Sequence, residues 1–109
     1  MSSQREIEEK FFRIKALTNL KDRDILVIFC KKYRGIYPTE LAHFTGKTRD
    51  HFKDRDKKVI QRTSSYPDFF VEYLMERIAI KELKKLGKSN SSIATFLSIP
   101  IQRVLFSEV

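Results

Sequence analysis

Apolar side chains recur along this chain at helical spacing, and no segment alternates with the period of a strand. Ile7, Phe11, Ile14 and Leu17 predict one stripe of a helix over Ser3 to Leu17. Ser3, with Glu6 three residues on, makes a capping-box pattern. Glu6, Glu8 and Glu9 fall in the first turns, where the helix dipole favours carboxylates, and Thr18-Asn19 ends the helix. A second helix is predicted over Asp22 to Tyr33, with Asp22 as N-cap and Ile25, Leu26, Ile28, Phe29 and Tyr33 on its buried side. Lys31, Lys32 and Arg34 crowd its end and Gly35 takes the C′ position. Pro38 holds Tyr37 extended. A short helix follows from about Thr39 to Phe44, then a turn at Thr45-Gly46-Lys47. A further helix runs from Thr48, its N-cap, to about Gln61. Thr63 to Tyr66 read as a loop before Pro67.

Asp68 to Leu86 is the longest helical pattern. Phe70, Leu74 and Ile78 share one face, and Phe69, Tyr73, Ile80 and Leu83 an adjacent one. An arc that wide predicts a central helix or a dimer surface. Gly87 closes it. Ser89 or Asn90 caps a short helix to about Leu97, Ser98-Ile99-Pro100 turns the chain, and a last helix starts at Ile101. The expected fold class is all-α: about six helices in one compact domain over 1–109. A long central helix joins two helix-turn-helix units, the first at 39–62 and a second, similar one at 89–108.

The chain has 109 residues, 41% of them hydrophobic and 12% aromatic, enough to bury a core and to argue against global disorder. Three Gly and three Pro are too few for a many-stranded sandwich or barrel. The one cysteine, Cys30, excludes an internal disulfide; within the apolar run ILVIFC it reads as a core thiol. That run is far short of the ~20 residues a membrane span needs. The N-terminus, MSSQREIEEK, has no apolar signal core. The expected setting is cytoplasmic, at the nucleoid, with no membrane.

Charge sharpens the picture. The formal net charge is +8, and residues 21–62 hold twelve basic against six acidic side chains, whereas the flanking segments are nearly balanced. A localised basic excess suits a polyanion, because phosphate neutralisation supplies most of non-specific affinity. A solvated basic surface on a plain helical bundle is the alternative.

The segment LAHFTGKTRDHFKDRDKKV meets the demands of a helix-turn-helix. Ala42 is the small residue where two helices cross closely. Gly46, four residues later, tolerates the left-handed turn. Leu41, Phe44, Phe52 and Val59 fall where apolar side chains pin the second helix to the first. This stretch resembles the helix-turn-helix of bacterial and phage transcription regulators, in which a Leu-Ala pair precedes a Thr-Gly turn and a polar, Arg-containing recognition helix. The resemblance covers about twenty residues. It implies base contacts from Thr48, Arg49, Asp50, Lys53 and Asp54 and backbone contacts from Lys47, Lys57, Lys58 and Arg62. Arg49 suits guanine, Asp50 or Asp54 the cytosine amino group, and Thr48 a phosphate oxygen. Asp50, Asp54 and Asp56 depart from a phosphate-facing pattern; they read bases, pair with Lys53, Lys57 and Lys58, or argue against DNA.

An echo appears at Asn90 to Val109, where Ile93, Ala94, Leu97, Ile99 and Val104 sit in the same frame and Ser98 replaces the glycine. Ile101, Leu105 and Phe106 would be exposed on its second helix, which invites a protein partner. Ser91, Gln102 and Arg103 suit weak DNA contact. The first unit is the expected reader, with the second serving dimerisation or weak DNA contact; the alternative is that the second reads DNA and the first is scaffold.

No zinc spacing, phosphate loop or catalytic elbow is present, so neither a metal, a cofactor nor an enzymatic activity is expected. His43 and His51 read as partly exposed. Glu72 and Glu76 read as a solvated i,i+4 pair. Tyr37 and Tyr66, in loops beside the basic unit, are candidate base-stackers. The expected function is sequence-specific binding of double-stranded DNA by a dimeric transcriptional regulator, associating through 68–86 and the C-terminal helix. A protein-binding adaptor using that helix is the alternative, and a small RNA-binding module the third.

Overall fold

The computed structural model describes residues 3–52 and 67–106. They form an all-α fold: among them are six α-helices and no strand. Helix α1 spans Gln4–Leu17, where the Ser3 hydroxyl accepts from the backbone N–H of Glu6 at 3.2 Å. Helix α2 spans Asp22–Phe29 and continues into a π-helical turn, Cys30–Arg34, which Gly35 closes at φ +64°. Its N-cap is Lys21, one residue before the expected Asp22; the Asp24 carboxylate reaches back to accept from the Lys21 N–H at 2.9 Å. A carboxylate at the third helical position satisfies the cap residue's own N–H, so the helix starts one residue earlier.

Helix α3 spans Pro38–Thr45, with proline at its first position. A 3₁₀ turn, Arg49–Phe52, follows. The remainder of the predicted helix from Thr48 to Gln61, with Val59 and the Thr63–Tyr66 loop, lies outside the described residues. Helix α4 spans Asp68–Lys85, α5 Asn90–Leu97 and α6 Ile101–Leu105.

The core is one cluster fed by every helix. Phe11, Ile25, Leu26, Ile28, Phe29, Leu41, Phe52, Leu83, Ile93 and Val104 are all fully shielded from water. Helix α4 is the central element, and α2 is its main neighbour: Val71, Leu74, Met75, Ile78, Ala79 and Ile80 are buried along its length. Burying side chains of this size stabilises by about 1.5–3 kcal/mol each before chain entropy is counted.

Two expected stripes are covered in part only. Leu17 is 71% exposed. At 3.6 residues per turn it lies about 80° round the helix from Ile7, off the face that Ile7 and Phe11 bury. On α4, Phe69 and Tyr73 share a stripe with Ile80, yet they are 74% and 44% exposed while Ile80 is buried. That stripe is covered along its second half alone.

Ion pairs tie α2 to α4. Arg23 meets Glu82 at 3.4 Å, Lys32 meets Asp68 at 3.1 Å, and Arg34 meets Glu72 at 2.9 Å and Glu76 at 3.2 Å. The basic block read as one unit from the sequence therefore divides. Much of its first part faces carboxylates of the central helix, whereas Lys47 and Arg49 are exposed.

Candidate nucleic-acid interface

Two corners of similar local construction stand on this scaffold. In the first, Pro38 starts α3 and Leu41 is its buried anchor. The Thr45 hydroxyl donates to the Leu41 carbonyl at 2.7 Å, and the Gly46 N–H donates to the Ala42 carbonyl at 2.9 Å. Gly46 lies at φ +76°, a left-handed conformation that an L side chain resists. The chain then turns back, and the His51 N–H donates to the Thr48 carbonyl at 3.1 Å. Phe52 is fully buried with the His51 ring edge-on at 5.0 Å, so Leu41 and Phe52 anchor the corner from both sides. Between these anchors Lys47, Thr48, Arg49 and Asp50 are exposed. Lys53, Asp54, Lys57, Lys58 and Arg62 lie outside the described residues, as do Asp56 and Tyr66.

In the second corner the Ser89 hydroxyl accepts from the Ser92 N–H at 3.1 Å, which settles the N-cap in favour of Ser89. Ser98 takes the left-handed position at φ +55°, where the first corner has glycine. Its successor, Ile99, donates to the Ala94 carbonyl at 3.0 Å. Ile93, Ala94, Leu97, Ile99 and Val104 are buried, and the Lys84 ammonium caps the far end by donating to the Val104 carbonyl at 3.1 Å. Ser91 and Gln102 are exposed, and Ile101, Leu105 and Phe106 are 40%, 50% and 80% exposed.

The two corners touch. Phe44 and Phe96 stack with centroids 4.0 Å apart and planes 7° from parallel. Both rings sit two residues before the left-handed residue, the same place in each unit. The Lys88 ammonium lies 4.8 Å above the Phe44 ring, and a shallow cavity of about 310 Å³ opens beside the stack, lined by Phe44, Ser91, Ser92, Thr95 and Phe96. The equivalent placement of Phe44 and Phe96 in the two units is the sequence signal for this contact, whereas helical spacing alone assigns Phe44 to the first corner.

Arg103 does not stand free at the second corner. Its Nη2 is 2.6 Å from both carboxylate oxygens of Glu76, while Arg34 approaches one of them from the other side. Glu76, expected in water as half of an i,i+4 pair with Glu72, is 4% exposed. Two guanidinium groups from distant segments, one of them stacked 4.9 Å above Phe29, satisfy a carboxylate that burial would otherwise penalise.

Cys30 is buried, and burial pushes its thiol pKa up to about 12, with the Arg34 charge pulling weakly the other way. Tyr37 is 69% exposed, and His43, on α3, is exposed too. A wider cleft of about 750 Å³ is lined by Asn19, Lys21, Asp22, Arg23, Asp24, His51, Glu82 and Lys85, a set of nearly balanced charge. Among the described residues no group of three His, Cys, Asp or Glu side chains is placed to hold a metal ion. No helix among them is long and apolar enough to cross a membrane. Comparisons of the chain with protein-family models, with curated proteins and with solved structures find no match.

Proposed function

We propose that this chain is a small, non-enzymatic transcriptional regulator that binds double-stranded DNA sequence-specifically through a helix-turn-helix at 39–62. The observation that carries the reading is the first corner. A left-handed Gly46 lies between the buried anchors Leu41 and Phe52 and presents Lys47, Thr48, Arg49 and Asp50 to solvent. A polar, cationic segment opening directly after such a turn is what a major groove accepts. Thr48 and Lys47 hold phosphate oxygens; Arg49 and Asp50, with Lys53 and Asp54, read base edges. Lys57, Lys58 and Arg62 add backbone contacts. The second corner ranks below the first as a reader, because Glu76 already engages Arg103.

The regulator acts as a dimer, which lets two half-sites be bound together. The uncovered half-stripe of α4 at Phe69 and Tyr73 and the apolar end of α6 at Leu105 and Phe106 supply the surface. The same exposure supports a second reading, in which α6 binds a different protein and the basic face is incidental.

Fluorescence anisotropy against random duplex DNA at two salt concentrations separates these readings. DNA binding with a steep salt dependence is expected, with Arg49→Ala relaxing preference at particular base pairs in a site-selection experiment. Parent protein that fails to bind duplex at low salt sinks the DNA reading. Tighter binding to single-stranded RNA than to duplex would transfer it to RNA.

A further inference from the structure

Carboxylates are unevenly placed in this chain. It contains 14, yet residues 41–49 have none and residues 83–106 have none. The fold brings these two acid-free stretches together, because Phe44 stacks on Phe96. Around the stack are the Lys88 ammonium and the hydroxyls of Ser91, Ser92 and Thr95, and Lys47 follows Phe44 by three residues. Ser91, Ser92 and Thr95 are exposed. Hydroxyl and ammonium groups line this surface, and none of the residues lining the cavity beside the stack is a carboxylate. Hydroxyl and ammonium donors are also the groups that position a phosphate backbone without reading sequence. The wide cleft at Asp22, Asp24 and Glu82, by contrast, is lined by both signs of charge.

We infer that the Phe44–Phe96 stack joins the two corners into one DNA-binding surface, in which Lys88, Ser91, Ser92 and Thr95 grip the phosphate backbone of the same duplex whose groove the first corner enters. The second corner thus contributes register and affinity through the outer face of α5, and its own second helix, α6, is left for protein contact. This inference rests on the DNA reading above. It goes further by assigning a phosphate-binding role to four residues outside 39–62.

The test uses the full chain and a random duplex, with the affinity and its salt slope measured for the parent, Lys88→Ala, Ser91→Asp/Thr95→Asp and Lys47→Ala/Arg49→Ala. Ser89 is kept, so the N-cap survives; Asp at position 91, in the first turn of α5, suits the helix dipole, and Asp at position 95, in its last turn, opposes it. A circular-dichroism melt matching the parent's confirms folding. Lys88→Ala is expected to weaken binding several-fold and to reduce the salt slope by about one, the signature of one lost phosphate contact. Ser91→Asp/Thr95→Asp is expected to weaken it about tenfold or more with base preference unchanged, since two carboxylates then face phosphates. If both variants bind like the parent while Lys47→Ala/Arg49→Ala loses affinity, the inference is overturned and the DNA reading stands. If the parent itself does not bind duplex, that reading falls and this inference with it. If Ser91→Asp/Thr95→Asp alters base preference instead of overall affinity, α5 contacts bases and the phosphate role is refuted.

Discussion

Glu76 accepts from Arg34 and Arg103 while almost wholly shielded from water. Removing one partner of a buried charge cluster leaves the others desolvated and unpaired, which costs about 3–5 kcal/mol. Arg34 keeps Glu72 and the Arg103 side chain is 49% exposed, so Glu76→Ala should lower the unfolding free energy by less than that, about 1–3 kcal/mol, in a urea titration. A loss under about 1 kcal/mol would mean that the cluster behaves like a surface pair. Cys30 gives a chemical readout of the same core. A thiol held near 12 and out of solvent should react with a thiol reagent at pH 8 only as fast as the protein opens, and promptly in denaturant. Immediate reaction of folded protein would show that the π turn admits solvent.

Asp68 adds a pH dependence. Hydrogen bonds from Lys32, and then from the Tyr33 hydroxyl, hold its carboxyl below its ordinary value of 3.8. The unfolded state then binds the proton at higher pH than the folded state. The stabilisation is complete above the ordinary carboxylate range and is lost as pH falls through the lower folded value. The side chain is 70% exposed, so the effect on stability is small. An NMR titration of the Asp68 side chain should show a midpoint below 3.8 that Lys32→Ala raises.

At the scale of elements, the two corners differ at the residue that bends them. Gly46 adopts φ +76° with open space where a Cβ would stand, so Gly46→Ala meets backbone strain and no steric block. The cost should be about 1–2 kcal/mol. Ser98 adopts φ +55° without being glycine, so Ser98→Gly should raise stability, by about 0.5–1 kcal/mol after the chain-entropy cost of glycine. Thermal melts of the two variants should move in opposite directions. Both turns were legible from the sequence, as was the Ser3 cap, and the second cap was narrowed to Ser89 or Asn90, because each is settled within four residues of backbone. Coverage of a stripe was not. Phe69 and Ile80 have the same helical phase, and only the neighbours of α4 decide that one is exposed and the other buried.

For the whole molecule, the uncovered apolar side chains lead to a prediction about assembly. Leu105→Ser/Phe106→Ser should convert the proposed dimer to a monomer in light scattering behind a sizing column. The melt of the monomeric unit should change little, since neither side chain supports the core. A parent that runs as a monomer at high concentration would remove the dimer from the reading and leave α6 to another protein.

Local rules were enough, from the sequence by itself, for the all-α class, the starts of the six described α-helices within a residue or two, the left-handed turn at Gly46 and the core placement of Cys30. Periodicity, capping and turn chemistry act over a few residues and leave their mark in the sequence as spacing. The partners of the charges were decided by tertiary structure. Arg34 meets Glu72 and Glu76 across separations of 38 and 42 residues, and Arg103 meets Glu76 across 27. Nothing in local spacing encodes those encounters. They engage Arg34, a cation that a linear count assigns to the basic face, whereas Lys47 and Arg49 after Gly46 are exposed. The Phe44–Phe96 stack lies between these cases. Phe44 was legible as an apolar anchor of the first corner, but its meeting with Phe96 required the packing of α3 against α5, which side-chain volume in three dimensions determines.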